Sequence, residues 1–271
     1  HITSTGVGTF AYNCIVENNW VYEWGENGID IDCPQVIVRN NEMGPCLNSG
    51  QTAGGTSALM LGSSSSEAAN GSSASKAYGN YIHDCKHPSS FHVAFLLRGC
   101  FDTDFYSNII NNVDICAYTS YAWQNDNRIY NNYVGTVDGG SGDVCLRHQD
   151  NTGTGSTTMY VYNNIFESIT STYLFKVQTN TTVMYVGNNL QDSSYSSWSG
   201  NGGTITDEGG GVIADPLLDS TYTPPMVSPV VGAGTAMPSK YDFYSKPQTG
   251  NGNHIGAVWP KVTTNKTRRA L

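Results

Sequence analysis

The sequence predicts an all-β solenoid, with about seven coils of parallel strands over residues 1–213 and an irregular closing segment over residues 214–271. Three observations carry this reading. One phrase keeps returning, an Asn that follows a short β-prone lead-in and has an apolar or aromatic residue one or two places after it: "IVENNWV" at Asn19, "VIVRNNEM" at Asn41, "AYGNYI" at Asn80, "DFYSNII" at Asn108, "RIYNNYV" at Asn132, "YVYNNIF" at Asn164 and "MYVGNNL" at Asn189. The successive gaps are 22, 39, 28, 24, 32 and 25 residues. A fixed landmark with elastic spacing describes coils that share a core and vary in their loops. Third, runs rich in Val, Ile, Tyr, Phe and Thr are bounded by Gly, Asn, Asp and Ser, and no window of useful length shows an i, i+3, i+4 apolar period.

Asn is depleted in strands, so its recurrence needs a cause. When equivalent residues of successive coils lie roughly 4.8 Å apart, side-chain amides can bond up and down the stack, one donating and the next accepting. Alternatively each Asn occupies a left-handed turn position. Both readings place it at a bend between parallel sheets.

Downstream of most landmarks comes a second β-prone run: "GIDID", "ALML", "VAFLLRG", "DICAYT", "DVCLRHQ" and "YLFKVQ". These should stack into one sheet. Period two points Ile29, Ile31, Val93, Phe95, Leu97, Ile115, Ala117, Val144, Leu146, Phe175 and Val177 inward. The outward set is then Asp30, Asp32, Leu96, Arg98, Cys116, Tyr118, Cys145, Arg147 and Lys176. Three cations, with Tyr118 between the two arginines and the aspartates at one end, gather on one face of an acidic protein. Residues 48–75 and 135–143 would wall a groove over it.

Composition narrows the function classes. The chain has 271 residues, 38% hydrophobic and 13% charged, with 30 Gly, a net charge of -9 and a pI near 4.9. That acidity argues against a nucleic-acid or anionic-membrane surface, and no apolar run is long enough to span a bilayer. The basic end, "KVTTNKTRRAL", reads as a solvated tail. Seven Cys, all within the first 145 residues, lack the CxxC spacing of a zinc site, and their odd number leaves at least one unpaired within the chain. Disulfides and buried thiols both remain open. Sequons at Asn70, Asn180 and Asn265 fit an extracellular setting. His83, His87, His92, His148 and His254 show no metal-ligand spacing, and an amine–imidazole copper site at His1 lacks the second positioned His it needs.

The repeat over roughly residues 10–213 resembles the right-handed parallel β-helix, or pectate-lyase-like, superfamily. "ADPLL" at 214–218, "SPVVGAG" at 228–234, "YDFYSKPQ" at 241–248 and "NHIGAV" at 253–258 resemble the closing segment of secreted bacterial and phage-encoded β-helix proteins. Gln248 stands where that pattern has Arg, and Val258-Trp259 replaces its aromatic-acid ending. The resemblance implies a single-stranded β-helix whose last coil the segment caps, shielding open backbone groups from edge pairing. The fold hosts lyases, hydrolases, epimerases, tailspike receptor-binding proteins and adhesins, and none of the catalytic signatures of its hydrolases, epimerases or pectate lyases is present.

The leading expectation is an extracellular or virion-associated protein acting on a polysaccharide or cell-surface glycan, by lyase chemistry on an acidic glycan. Arg147 and Arg98 suit the uronate carboxylate, Lys176 or Tyr118 the proton transfers, and His148 substrate binding; Asp30 and Asp32 are candidate Ca²⁺ ligands. A non-catalytic glycan-binding or structural module, with 17 Tyr and 5 Trp as stacking surfaces, is the alternative. A glycoside hydrolase comes third, because Asp30 and Asp32 stand side by side rather than across a sugar. Residues 1–13 carry no amphipathic period or helix start, so an upstream segment or another chain is expected to cover the coil from Cys14 to Val21, unless "GTFAY" folds across it.

Overall fold

The computed structural model describes residues 2–3, 13–46, 56–62, 73–86, 92–120, 125–138, 144–149, 157–179, 182–193, 198–237, 242–245 and 253–260. These residues form three eight-stranded parallel sheets and no helix, so no described helix is long and apolar enough to cross a membrane. Each pass of the chain visits the second, third and first sheets in turn. The first sheet stacks Ile2–Thr3, Asn27–Asp32, Thr56–Leu61, His92–Arg98, Ile115–Ser120, Val144–Gln149, Tyr173–Gln178 and Trp198–Asn201. The second stacks Ile15–Glu17, Ile37–Arg39, Lys76–Tyr78, Asp104–Tyr106, Asn127–Tyr130, Thr157–Tyr162, Thr182–Gly187 and Thr204–Asp207. The third stacks Trp20–Val21, Glu42–Met43, Tyr81–Cys85, Ile109–Val113, Tyr133–Val137, Ile165–Ile169, Leu190–Gln191 and Val212–Ile213. This is a parallel β-helix.

The Asn pairs answer to both expectations, one residue each. The first member, or its Ser or Gly substitute, is left-handed: φ is 58° at Asn18, 54° at Asn40, 65° at Gly79, 51° at Ser107, 54° at Asn131 and Asn163, and 50° at Asn188. The second member forms the ladder. Asn19 Nδ2 donates to Asn41 Oδ1 at 2.9 Å, and the relay continues through Asn80, Asn108, Asn132 and Asn164 to Asn189 at 3.0 to 3.1 Å. Each Oδ1 from Asn41 onward also accepts the backbone N–H of the preceding rung, at 2.9 to 3.1 Å. The rungs from Asn41 to Asn189 are nearly sealed from water, where an unmade amide bond costs about 1–3 kcal/mol.

The first sheet departs from simple alternation. Its register pairs Val93 with Ile115 and Phe95 with Ala117, and Val144 with Tyr173 and Leu146 with Phe175, skipping the residues between. At that stacked kink two successive residues face inward. Cys116 and Cys145, expected outside, are fully buried in the main core beside Ala117 and Leu146. Val93, Ile115 and Val144, expected inside, pack instead with Met60 and Leu96 in a separate cluster that Tyr118 and Tyr173 adjoin. A kink repeated at one level of successive coils resets the parity of everything before it, which a strict period of two cannot represent.

The described parts of the closing segment run back over the outer face of the third sheet. Val230, Ile255, Ala257 and Val258 bury against the outward row of Ile109, Tyr133, Ile165 and Leu190. Gly256 N–H donates to Asn163 O at 2.7 Å, and Asn163 Nδ2 donates to Thr235 O at 2.8 Å. The sheet supplies an apolar column, and the segment removes it from water. Gln248 lies outside the described residues, as do residues 4–12 and the three sequon asparagines. At the first coil, Ile2 and Thr3 pair with Ile31 and Asp32, Ile29 is buried and Ile15 is 52% exposed.

Candidate functional site

The outer face of the first sheet brings most of the expected site residues into register. One outward row runs Asp30, Met60, Leu96, Tyr118, Arg147 and Lys176 on successive strands. Two residues further along the strands, Arg98 aligns with Ser120 and Gln149 with Gln178. Tyr118, Arg147 and Lys176 are thus immediate neighbours on three strands, with Arg98 beside them. Their regular spacing follows from strands about 4.8 Å apart.

Within this cluster the Arg147 guanidinium lies 5.0 Å from the Tyr118 ring centre and its Nη2 donates to Gln178 Oε1. Tyr118 hydroxyl donates to Gln149 Oε1 at 3.5 Å. Lys176 Nζ sits 5.4 Å from the Tyr173 ring centre. Such cation–π contacts contribute only about 0.5–1 kcal/mol at partly exposed sites, so they orient the two cations without neutralising them. Among the described residues neither Arg147 nor Lys176 has a carboxylate partner; the Lys and Arg ion pairs belong to Arg39, Lys86 and Arg128. Gln149 and Gln178 were missed from sequence. The outward parity that selected Arg147 and Lys176 also selects them, but an uncharged amide drew no attention.

His148 does not join the site. It is fully buried and faces the coil interior between Thr119 and Val177, with Thr119 Oγ1 2.5 Å from its Nδ1. Leu146 points inward, so parity required the same of His148. It is a core group, not a substrate ligand.

The aspartates form a second, separate group. Asp30 and Asp32 are half-buried on the Asn27–Asp32 strand, five strand steps from Lys176, or about 24 Å. Burial raises the pKa of Asp30, opposed by a 3.1 Å bond from Asn27 Nδ2 and by the positive charge of Arg98. Asp32 rises to about 6, first through burial, then through the charge of Asp30, again opposed by Arg98. Two carboxylates are few for Ca²⁺, which takes six to eight oxygens, and no group of three or more His, Cys, Asp or Glu converges anywhere among the described residues. The expected wall loops lie largely outside the described residues, at 47–55, 63–72 and 139–143. Even so, Met60, Val93, Leu96, Ile115 and Val144 face outward and are at most 5% exposed, so one flank of the face is sealed and the charged rows remain.

The arrangement is a strip along the coil axis, cationic at the Lys176 end and acidic at the Asp30 end with the apolar Met60 and Leu96 between them in that row, and its cationic end is able to meet an anion. No family model matches the chain, and no curated protein matches it.

Proposed function

We propose that this is an extracellular or virion-associated protein that acts on polysaccharide, most directly by β-elimination on a uronate-containing glycan. On this reading the solenoid takes the right-handed sense that parallel β connections favour and belongs with the pectate-lyase-like folds. The observation that carries it is the single outward row of Tyr118, Arg147 and Lys176, with two cations that lack an internal carboxylate partner among the described residues. Each strand step of about 4.8 Å is close to the length of one pyranose residue, so a glycan laid along the axis presents successive sugars to successive strands.

Arg147 pairs with the uronate carboxylate and stabilises the charge that develops when C5 loses its proton. Tyr118 in its ionised form takes that proton, the C4–O bond breaks as the C4–C5 double bond forms, and the Lys176 ammonium protonates the departing oxygen. Arg98 holds the neighbouring sugar. No step runs through a metal.

The test is incubation with a panel of uronate-containing and neutral polysaccharides, reading the absorbance of unsaturated uronate ends and the appearance of new reducing ends. Lys176→Ala and Arg147→Ala should each lower turnover by about 100-fold or more. Unchanged turnover in both variants removes the assignment, and reducing ends without unsaturation indicate hydrolysis instead. The second reading, a non-catalytic glycan-binding module, is favoured by an exposed aromatic pair at the first coil, Trp20 and Tyr22, with ring centres 4.9 Å apart. Binding without product, lost in Trp20→Ala, supports it.

A further inference from the structure

Beneath the Lys176 end of the charged strip, the coil interior opens into a cavity of about 370 Å³. Phe175, Val186 and Trp198 form apolar walls, and Asn189, Gln191 and Asp207 line it with polar groups. No described residue of the closing segment lines it.

This cavity coincides with the end of the Asn ladder. Every rung from Asn19 to Asn164 gives both its backbone N–H and an Nδ2 hydrogen to the Oδ1 of the next Asn. Asn189 is the last. Its Nδ2 donates to Val161 O at 2.8 Å, as lower rungs donate to their own carbonyls, but its backbone N–H and second Nδ2 hydrogen meet no acceptor among the described residues. The residue is only 6% exposed. Leu190 pairs with Val212, so Gly211 occupies the position of the next rung. A Cβ placed on Gly211 would meet only Asn189 O, at 3.6 Å, and Gly211 is not among the glycines with positive φ. The backbone therefore does not require glycine there; what glycine leaves is room for an oxygen in front of two buried donors.

We propose that this cavity binds an N-acetylated amino sugar, whose acetamido oxygen takes the place of the missing Oδ1. The chemistry is matched at each point. An amide oxygen accepts two hydrogen bonds, as every ladder oxygen does. Trp198, 36% exposed, offers a ring face to the pyranose. Gln191 and the carboxylate of Asp207 accept from sugar hydroxyls, and Asp207 disfavours an anionic occupant. The site is thus distinct in charge preference from the uronate strip on the outer face and does not depend on that reading.

Calorimetric titration with N-acetylglucosamine and its short β-linked oligomers, against glucose and its β-linked oligomers, tests this directly. N-acetylated ligands should bind and the glucose series should bind at least about tenfold more weakly. Gly211→Asn supplies the missing oxygen from the chain itself, and should weaken binding by about tenfold or more while the thermal midpoint stays level or rises. Trp198→Leu, at the edge of the coil, should also lose affinity if Gly211→Asn fails to fold. Lys176→Ala should leave this binding unchanged, which separates it from the elimination chemistry. No heat with N-acetylated ligands, equal affinity for the glucose series, or full binding by folded Gly211→Asn each overturns the proposal and leaves water as the partner of the two donors.

Discussion

The outer faces of the first and second sheets use the same residue types, yet on the second sheet the arginines meet carboxylates and the tyrosines meet one another, whereas on the first Arg147 and Lys176 meet rings and an amide. On the second sheet the rings of Tyr78, Tyr106 and Tyr130 stack at 5.0 and 5.1 Å, and Tyr160 stacks on Tyr185 at 5.3 Å. Rings stacked along the coil axis turn their faces to each other, and Tyr106 and Tyr130 are buried besides, so most of these tyrosines are poor platforms for a sugar. Arg128 donates to Asp104 at 2.5 Å and Asp102 at 2.6 Å, and Arg39 to Glu17 at 2.6 Å and to the Tyr78 hydroxyl at 3.1 Å. Burial opposes the charge on Arg128, but the two carboxylates outweigh it and hold its pKa above the usual arginine value. On the first sheet Tyr118 has Leu96 and Arg147 beside it rather than another Tyr, and Arg147 and Lys176 meet rings and an amide in place of acids. Repetition of like or complementary side chains from coil to coil consumes their interaction capacity; a mixed row keeps it for a ligand.

If that contrast is right, truncation should cost stability on the second sheet and activity on the first. The largest stability effect is expected at Tyr130, which is 1% exposed within its stack: Tyr130→Ala should lose about 3 kcal/mol, whereas Tyr118→Ala should lose less than about 1 kcal/mol by denaturant unfolding. Equal losses would mean that the two tyrosine rows do not differ. Next comes the charge pair. Arg128→Ala strands the nearly buried Asp104 and should cost about 2 kcal/mol, while Arg147→Ala, leaving no carboxylate behind, should stay near zero.

The smallest effect concerns pH at the acidic end of the strip. Asp32 titrates higher in the folded chain, at about 6, than its ordinary 3.8, so the fold binds its proton more tightly than the unfolded chain does. Stability from this group is therefore full below pH 3.8 and is lost as pH rises to about 6. Asp32→Asn should be more stable than the parent at pH 7, by no more than about 1 kcal/mol once solvent screening is allowed for, and should match it near pH 3. Thermal midpoints of both proteins across that range would show it; a variant that is less stable at pH 7 would mean Arg98 outweighs burial at Asp32.

The parts of the site that could be read from sequence are those where a regular period operates without interruption. Arg98, Tyr118, Arg147 and Lys176 follow the kink on their strands, so counting outward from Leu97, Ala117, Leu146 and Phe175 places them correctly. Val93, Ile115 and Val144 precede the kink, and counting through it inverted them. His148 was legible and misassigned: its parity agreed with Leu146, but its position beside Arg147 drew it into the site. The lateral course of the closing segment was not legible, because "SPVVGAG" and "NHIGAV" present the same apolar residues whether they cover a coil's end or its side.

The amino-acid sequence by itself determined the repeat, the Asn ladder and the membership of the charged row, because each depends on local alternation and on one residue type recurring at one level of every coil. Only the tertiary structure decided which face the described part of the C-terminal segment covers, and that the ladder stops at Gly211 in front of a cavity. Those outcomes depend on how residues from distant coils meet, and a hydrogen-bond donor is left over only relative to the neighbour that the fold places, or does not place, before it.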